Sequence, residues 1–264
     1  MNVVQKQWND KADEWMQFAR DENSYWSRRL RAIVGLARRH IAAGRSLDVG
    51  CGPGLMVRLF TEAGFEAHGA DLSENMIDRA AEILAPCVAA PRARLHWCPD
   101  GHPPPPPDGQ PFDLITAIGI LEYITDRRGY IRELTERLAP GGILVLANTN
   151  NIRSLFISLA VGSRILRFWP TREWGETIRN LARTGIWSGG HIDYPNADWI
   201  YSADALDGVA RELGLTVLDG MDLFNFSWLD RDPLNRGPLM RRLARRWGWN
   251  HIGVYRKPEA TASP

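Results

Sequence analysis

With 264 residues, 44% of them hydrophobic and 24% charged, the chain has ordinary globular composition and the length of one large domain or one domain with insertions. Lys and Arg total 32 against 31 Asp and Glu, a formal charge of +1, which argues against a general nucleic-acid binder. Its three cysteines (Cys51, Cys87 and Cys98) cannot build a disulfide framework and lack metal-ligand spacing, so a reducing, cytoplasmic setting and no metal are expected.

The N-terminus, MNVVQKQWNDKADEW, has no apolar h-region, so no secretory signal is expected. Residues 1–44 read as helical. Trp8, Trp15, Tyr25 and Trp26 stud this segment, Leu30, Ile33, Val34, Leu36, Ala37 and Ile41 recur at helical spacing, and Gly44 reads as a C-cap. Ser46 to Val49 is a short apolar run that ends in Gly50-Cys51-Gly52-Pro53-Gly54. Leu55 to Ala63 then reads as a helix stopped by Gly64, and Phe65 to Ala70 as a strand closing on Asp71. Ser73 is a good N-cap for a helix from Glu74 to about Leu84. Arg94 to Cys98 and Phe112 to Ile118 read as strands, separated by a stiff polyproline II run from Pro103 to Pro107. Asp126 to Leu138 reads as an amphipathic helix, punctuated by Pro140-Gly141-Gly142 before a fifth strand, Ile143 to Asn148.

Residues 150–202 break this rhythm and read as an aromatic-rich insertion, with Phe156, Phe168, Trp169, Trp174, Trp187, Tyr194, Trp199 and Tyr201 available to pack. The longest uncharged window there, Ser154 to Ser163, is too short to span a bilayer. Ala203 to Leu213 reads as a helix stopped by Gly214, and Leu215 to Leu218 as a strand. Residues 222–247 read as a second insertion with a basic helix from Leu239 to Trp247, followed by a short strand, Asn250 to Tyr255, and a disordered tail over 257–264. Strands alternating with helices at this spacing predict an α/β fold, a Rossmann-like seven-stranded, mostly parallel sheet. The organisation expected is a helical lid over 1–44, a core over 45–149, the insertion over 150–202 and the remaining core over 203–256.

A glycine-rich turn between a parallel strand and a helix lets backbone approach a ligand closely, and Gly50, Gly52 and Gly54 sit at such a turn. Three acids fall at strand ends, where open α/β sheets bind ligands. Asp48 can receive an ammonium group lying over the loop, Asp71 can accept two ribose hydroxyls, and Asp100 can meet an adenine amino group, with Gly101 and Trp97 beside the ring. A dinucleotide fits less well: the third glycine of G-x-G-x-x-G would fall at Leu55, and a carboxylate at position 48 would repel a pyrophosphate. The pattern points to a nucleoside with a cationic amino-acid end.

The string LDVGCGPGLMVRLF resembles the first motif of class I S-adenosylmethionine-dependent methyltransferases, and GADLSENMI, WCPDG, FDLITAIGILEYITD and LAPGGILVLANTN resemble the motifs that follow it. The likeness covers roughly 45–150 and resumes over YSADALDGVARELGLTVLDG; its closest flavour is the ubiquinone-biosynthesis type of O-methyltransferase. The family often has Leu-Glu-His where this chain has Leu121-Glu122-Tyr123, and neither aromatic insertion matches its pattern. The resemblance implies that S-adenosyl-L-methionine is the cofactor, with Asp48, Gly50, Cys51, Gly52, Gly54, Asp71, Leu72, Met76, Asp100, Gly101, Gly119 and Leu121 around it. Ile120 would lie beside the last two, under the methionine moiety. It also implies methyl transfer to an oxygen of a small, partly aromatic or lipophilic molecule, with transfer to nitrogen or carbon as alternatives. An oxidoreductase and a non-catalytic cofactor-binding module are the rivals from other classes.

His191, in Gly189-Gly190-His191-Ile192-Asp193-Tyr194, is the best base candidate, with Asp193 and Tyr194 able to do the same work; the plainer alternative is a backbone-bonded loop histidine. His40, His68, His96, His102 and His251 read as structural or solvent-facing. Trp8 and Trp15, seven apart, share one helix face. With Trp26, Tyr123 and Trp187 they form the expected substrate or lid set, core packing being the alternative for the first two. Arg241, Arg242, Arg245 and Arg246 read as a solvated face, or as a patch for an anionic substrate or weak membrane-surface contact. A homodimer is compatible with the sequence.

Overall fold

The computed structural model describes residues 3–87, 92–149, 203–223 and 250–260. Two helices, α1 (Val3–Arg20) and α2 (Tyr25–Ala37), lead into β1 (Arg45–Val49), α3 (Leu55–Glu62), β2 (Glu66–Asp71), α4 (Glu74–Leu84) and β3 (Ala93–Trp97). After the proline run come β4 (Phe112–Ile118), α5 (Arg127–Glu136) and β5 (Leu138–Thr149), then α6 (Ala203–Glu212), β6 (Thr216–Leu223) and β7 (Asn250–Arg256). The strands form one seven-stranded sheet in the order β3-β2-β1-β4-β5-β7-β6. All neighbours run parallel except β7, which is antiparallel to both β5 and β6. The predicted Rossmann-like, mostly parallel sheet is therefore present.

Side chains alternate across the sheet. On β5, Ile143, Val145 and Ala147 face a core shared with Ile33 and Leu36 of α2 and Val57 and Phe60 of α3. Leu144 and Leu146 face the opposite core with Ile131 and Leu134 of α5 and Leu206 of α6. The strands are apolar on both sides because helices cover both faces. The predicted N-cap of α4 holds: the Ser73 hydroxyl accepts the Met76 N–H at 3.1 Å. No helix among the described residues is long and apolar enough to cross a membrane.

Several boundaries differ from the sequence reading, each for a local reason. The helical segment 1–44 divides into two helices. The Asp21 carboxylate takes the Asn23 N–H at 2.9 Å and the Ser24 hydroxyl takes the Ser27 N–H at 3.1 Å, so short polar side chains end one helix and start the next. Gly44 is not a C-cap, since α2 ends at Ala37; its carbonyl instead takes the Glu66 N–H at 3.0 Å, starting the approach to β1. Leu138 belongs to β5, not to α5, and Pro140-Gly141-Gly142 lies inside that strand as a bulge, the register jumping from Phe112↔Leu138 to Leu114↔Ile143. The strand β6 runs to Leu223, into the segment read as an insertion. The tail is ordered where it begins: Lys257 N–H donates to the Gly142 carbonyl at 2.9 Å, and its ammonium donates to the carbonyls of Thr135 (2.9 Å) and Leu138 (2.7 Å). The rest of the two insertions and residues 261–264 lie outside the described residues.

The Lys257 ammonium thus bridges the end of α5 and the start of β5, and partial burial pushes its pKa down. Lys257→Met should remove both charge-assisted bonds and destabilise the fold by about 1–3 kcal/mol, read as a lower thermal midpoint with an unchanged far-ultraviolet spectrum.

Candidate functional site

The turn from β1 to α3 is the floor of the site. Gly50, Gly52 and Gly54 all have left-handed backbone, with φ of 69°, 51° and 78°. The Gly50 and Cys51 N–H groups both reach back to the Ala70 carbonyl, at 2.8 and 3.0 Å, which ties the turn to β2. A Cβ at Gly50 would collide with the Ile120 side chain, whereas a Cβ at Gly52 would meet nothing within 4 Å. At Gly52 the turn is therefore bare backbone facing open space.

That space is a cavity of about 430 Å³ at the carboxyl ends of β1, β2 and β4, within the usual range for small-molecule sites. Asp48, Gly50, Cys51 and Gly52 line it from the turn, Asp71, Leu72 and Met76 from the end of β2 and the start of α4. Asp100 and Gly101 follow β3, and Gly119, Ile120 and Tyr123 follow β4. Trp8 and Trp15 of α1 and Trp26 of α2 close the cavity from above. These fifteen residues, all singled out from sequence, thus line one cavity.

Two buried carboxyls set its electrostatics. Asp48 is 4% exposed and accepts the Thr116 hydroxyl at 2.6 Å. Burial pushes its pKa from 3.8 to about 7; the Thr116 bond opposes the rise and the nearby Asp71 charge adds to it. Asp71 accepts the Gly52 N–H at 2.9 Å and the Ser73 N–H at 2.8 Å. Its burial outweighs these bonds and raises its pKa to about 6. Each carboxylate oxygen has two lone pairs, so Asp71 can still accept ligand hydroxyls. Burial, with the Asp71 and Asp48 charges, also holds the Cys51 thiol well above its ordinary value, which suits packing rather than nucleophilic chemistry. Asp100 is different: it is exposed, and its carboxylate takes the His102 N–H at 3.0 Å.

Some of the singled-out residues lie off the cavity wall. Leu121 is fully buried in the core with Tyr130 and Leu134 rather than in the cavity wall. It opens a 3₁₀ turn, Leu121–Tyr123, and three residues per turn send Leu121 inward while Glu122 and Tyr123 reach the cavity. Gly54 is the N-cap of α3 and packs against Ala80 of α4, so it supports the turn without lining the cavity. Trp97 is 48% exposed, donates its indole N–H to the Leu72 carbonyl at 3.2 Å, and does not line the cavity. His68 is structural, stacked on His96 with ring planes 8° apart. His191, Asp193, Tyr194, Trp187 and the arginines of 241–246 lie outside the described residues.

Phe18, Arg29, Glu122 and Tyr130 are among the wall residues missed from sequence. Phe18 packs edge-on against Trp15 at 6.1 Å, and Arg29 sits 5.2 Å over the Trp26 ring. Both lie three residues from a tryptophan already assigned to the lid, so helical spacing could have found them. Glu122, 5% exposed, places a carboxyl oxygen near Gly119, and Tyr130 donates its hydroxyl to the Gly101 carbonyl at 3.1 Å. Only the 3₁₀ turn explains Glu122, and it leaves no clear sequence signature.

The family model for a methyltransferase domain matches residues 18–219. Among curated proteins, the ubiquinone biosynthesis O-methyltransferase of Methylococcus capsulatus is 28% identical over 149 residues, 54% of this chain and 60% of that protein. The one from Rhodopseudomonas palustris strain BisA53 is 28% identical over 182 residues, 62% of this chain and 68% of that protein. The chain thus spans 60% and 68% of the length of these two relatives. Among solved structures, magnesium protoporphyrin IX methyltransferase (ChlM) from Synechocystis PCC 6803 with bound SAH superposes with a TM-score of 0.61 at 14% identity, over 97% of this chain and 98% of that one. The [4+2]-cyclase SpnF gives a TM-score of 0.62 at 18% identity, over 97% and 96%. At such identities the structures speak for the fold alone. With its family match spanning most of the sequence and its glycine turn and strand-end acids on one cavity, the chain belongs to the methyltransferase domain family, in the class I fold that uses S-adenosylmethionine.

Proposed function

We propose that this protein transfers a methyl group from S-adenosylmethionine to an oxygen of a small, partly aromatic or lipophilic molecule. The observation that carries the reading is the pairing of a bare glycine turn with three strand-end acids on an otherwise apolar, aromatic-roofed cavity. The donor set suits the cofactor. Asp48 offers a dry carboxylate for an ammonium group, Asp71 offers acceptors for ribose hydroxyls, and Asp100 and Gly101 lie where a base edge would reach.

When bound, S-adenosylmethionine supplies an electrophilic methyl carbon: its bond to sulfur breaks as a bond to the acceptor oxygen forms, sulfur keeps the electron pair, and the hydroxyl proton leaves to a base. The chain's task is positioning and exclusion of water, and orientation of this kind can supply roughly 7–11 kcal/mol. Trp8, Trp15, Trp26 and Tyr123 supply the apolar roof, and desolvated rings can stabilise a cation by about 0.5–2 kcal/mol each. His191 is proposed as the base, with Asp193 and Tyr194 as its alternatives. The likeness to ubiquinone biosynthesis O-methyltransferases supports oxygen as the acceptor atom. Because a [4+2]-cyclase shares the fold, product formation rather than cofactor binding decides turnover.

The test is calorimetric titration with S-adenosylhomocysteine, then incubation of phenols, catechols and amines with S-adenosylmethionine and NMR of the products. Binding of NADH without S-adenosylhomocysteine would overturn the reading, as would tight cofactor binding with no methylated product. Asp71→Ala should weaken S-adenosylhomocysteine binding by roughly 1.5–3 kcal/mol per lost charge-assisted bond; unchanged affinity would reassign the acid.

The raised pKa of Asp48 predicts a trade between stability and binding. Between its ordinary value of 3.8 and about 7 the folded state holds a proton that the unfolded state has lost, so this group costs stability as pH rises through that window. Asp48→Asn, which keeps an acceptor for Thr116, should match the natural protein near pH 4 and exceed it at pH 8 by roughly 1–4 kcal/mol, while binding S-adenosylhomocysteine more weakly. Denaturant titrations at both pH values measure the difference. Equal stability at pH 8 would mean that folding does not raise the Asp48 pKa.

A further inference from the structure

The loop that follows β3 puts Asp100, Gly101 and His102 on the cavity wall, and it is held there from outside. Gly101 has left-handed backbone, with φ of 76°. Pro103 to Pro107 carry no N–H with which to join a ladder, so that run is held through its carbonyls. The anchors come from one face of α5 and the residue that caps it, at positions i, i+3 and i+7. Tyr130, 6% exposed, donates its hydroxyl to the Gly101 carbonyl at 3.1 Å. A Glu133 carboxylate oxygen lies 3.0 Å from His102 Nδ1, and since a carboxylate only accepts, that nitrogen is the donor. Arg137 donates to the carbonyls of Pro103 (2.9 Å) and Pro104 (3.1 Å) and pairs with Glu133 at 3.0 Å. At the other end of the proline run, Arg45 donates to the carbonyls of Pro107 (3.2 Å) and Gln110 (3.3 Å).

Asp100 is exposed, so water competes for its carboxylate, and it can choose between ligands only if its place is set in advance. We propose that Tyr130, Glu133 and Arg137 are positioning residues that make this loop selective for a 6-aminopurine. The exocyclic amino group of adenine offers two N–H donors. The Asp100 carboxylate accepts the His102 N–H at 3.0 Å and has lone pairs left to accept one of them. A 6-oxopurine presents an acceptor at the same place and meets the carboxylate oxygen to oxygen. Because α5 orders the loop before a ligand arrives, the entropy of ordering it does not fall on binding. None of the three side chains need touch the base: they act through the Gly101 and proline carbonyls and the His102 ring. This inference rests on the S-adenosylmethionine reading, since it takes the Asp100 corner to hold the base.

The probes are S-adenosylhomocysteine and S-inosylhomocysteine, which differ only in the 6-amino and 6-oxo groups, each titrated calorimetrically into the full chain. The natural protein should bind the adenosyl compound about 10-fold or more tightly than the inosyl one. Tyr130→Phe, Glu133→Gln and Arg137→Met should each lower that ratio by about 3- to 10-fold, the loss falling on the adenosyl compound. Lys257→Met is the control for plain destabilisation, because Lys257 bonds the same end of α5 through the Thr135 carbonyl and does not reach the loop. It should lower the thermal midpoint and keep the natural ratio. Equal binding of the two compounds by the natural protein overturns the inference without need of any variant. A ratio unchanged in the three variants, or both compounds weakened alike, also overturns it, as does a ratio that falls equally in Lys257→Met. Failure of S-adenosylhomocysteine itself to bind would instead overturn the S-adenosylmethionine reading.

Discussion

The site depends on one carboxylate that is shared between two segments of backbone. Asp71 stands at the last position of β2 and accepts N–H groups from Gly52 on one oxygen and from Ser73 on the other. The first bond fixes the glycine turn against the sheet, and the second sets the entry into α4, whose N-cap is that same Ser73. A group at 8% exposure that is already satisfied by the protein's own backbone can sit at the edge of an apolar cavity without local collapse. Asp48 is held differently, by one hydroxyl and by its depth beneath the turn, and its proton affinity rises accordingly. The two acids therefore lie side by side with distinct tasks: one organises the backbone and the other is available to respond to an incoming charge.

Much of this frame was legible in the sequence because its signals are local. Phe112–Ile118 is a short, largely apolar run that reads as a buried strand, and it is one. Ser73 and Asp126 announce helix starts through side-chain oxygens that accept the N–H three residues on. The acids at strand ends follow from parallel topology, which collects carboxyl termini on one edge of the sheet. The tryptophans of the first helix reveal their shared face through seven-residue spacing, and the rings do meet.

The rest was not legible because it depends on partners distant in the chain. Pro140-Gly141-Gly142 has the composition of a loop, yet it lies within a strand because Lys257 and Pro258, more than a hundred residues later, pair with its backbone. The same contact orders the start of a tail whose composition alone reads as disordered. Leu121 and Glu122 exchange roles on a single tight turn, where a shift of one residue moves a side chain from core to cavity. Arg29 is an arginine in an arginine-rich helix, and only the seating of α2 over the sheet distinguishes it from its solvent-facing neighbours Arg28 and Arg31.

The first helix is fastened beside the cavity floor. Gln5 donates its amide to the Leu72 carbonyl at 3.1 Å, Ser73 donates its hydroxyl to the Asn9 side chain at 2.6 Å, and Asn75 donates to the Asn9 carbonyl at 3.1 Å. All three anchor points follow directly after Asp71 in the chain. Any molecule that settles on that carboxylate therefore touches the clasp as well as the floor, and by thermodynamic reciprocity the free energy the helix lends to retaining the guest equals the free energy the guest lends to keeping the helix shut. Affinity and the fraying of the amino-terminal helix are two readings of one linked equilibrium.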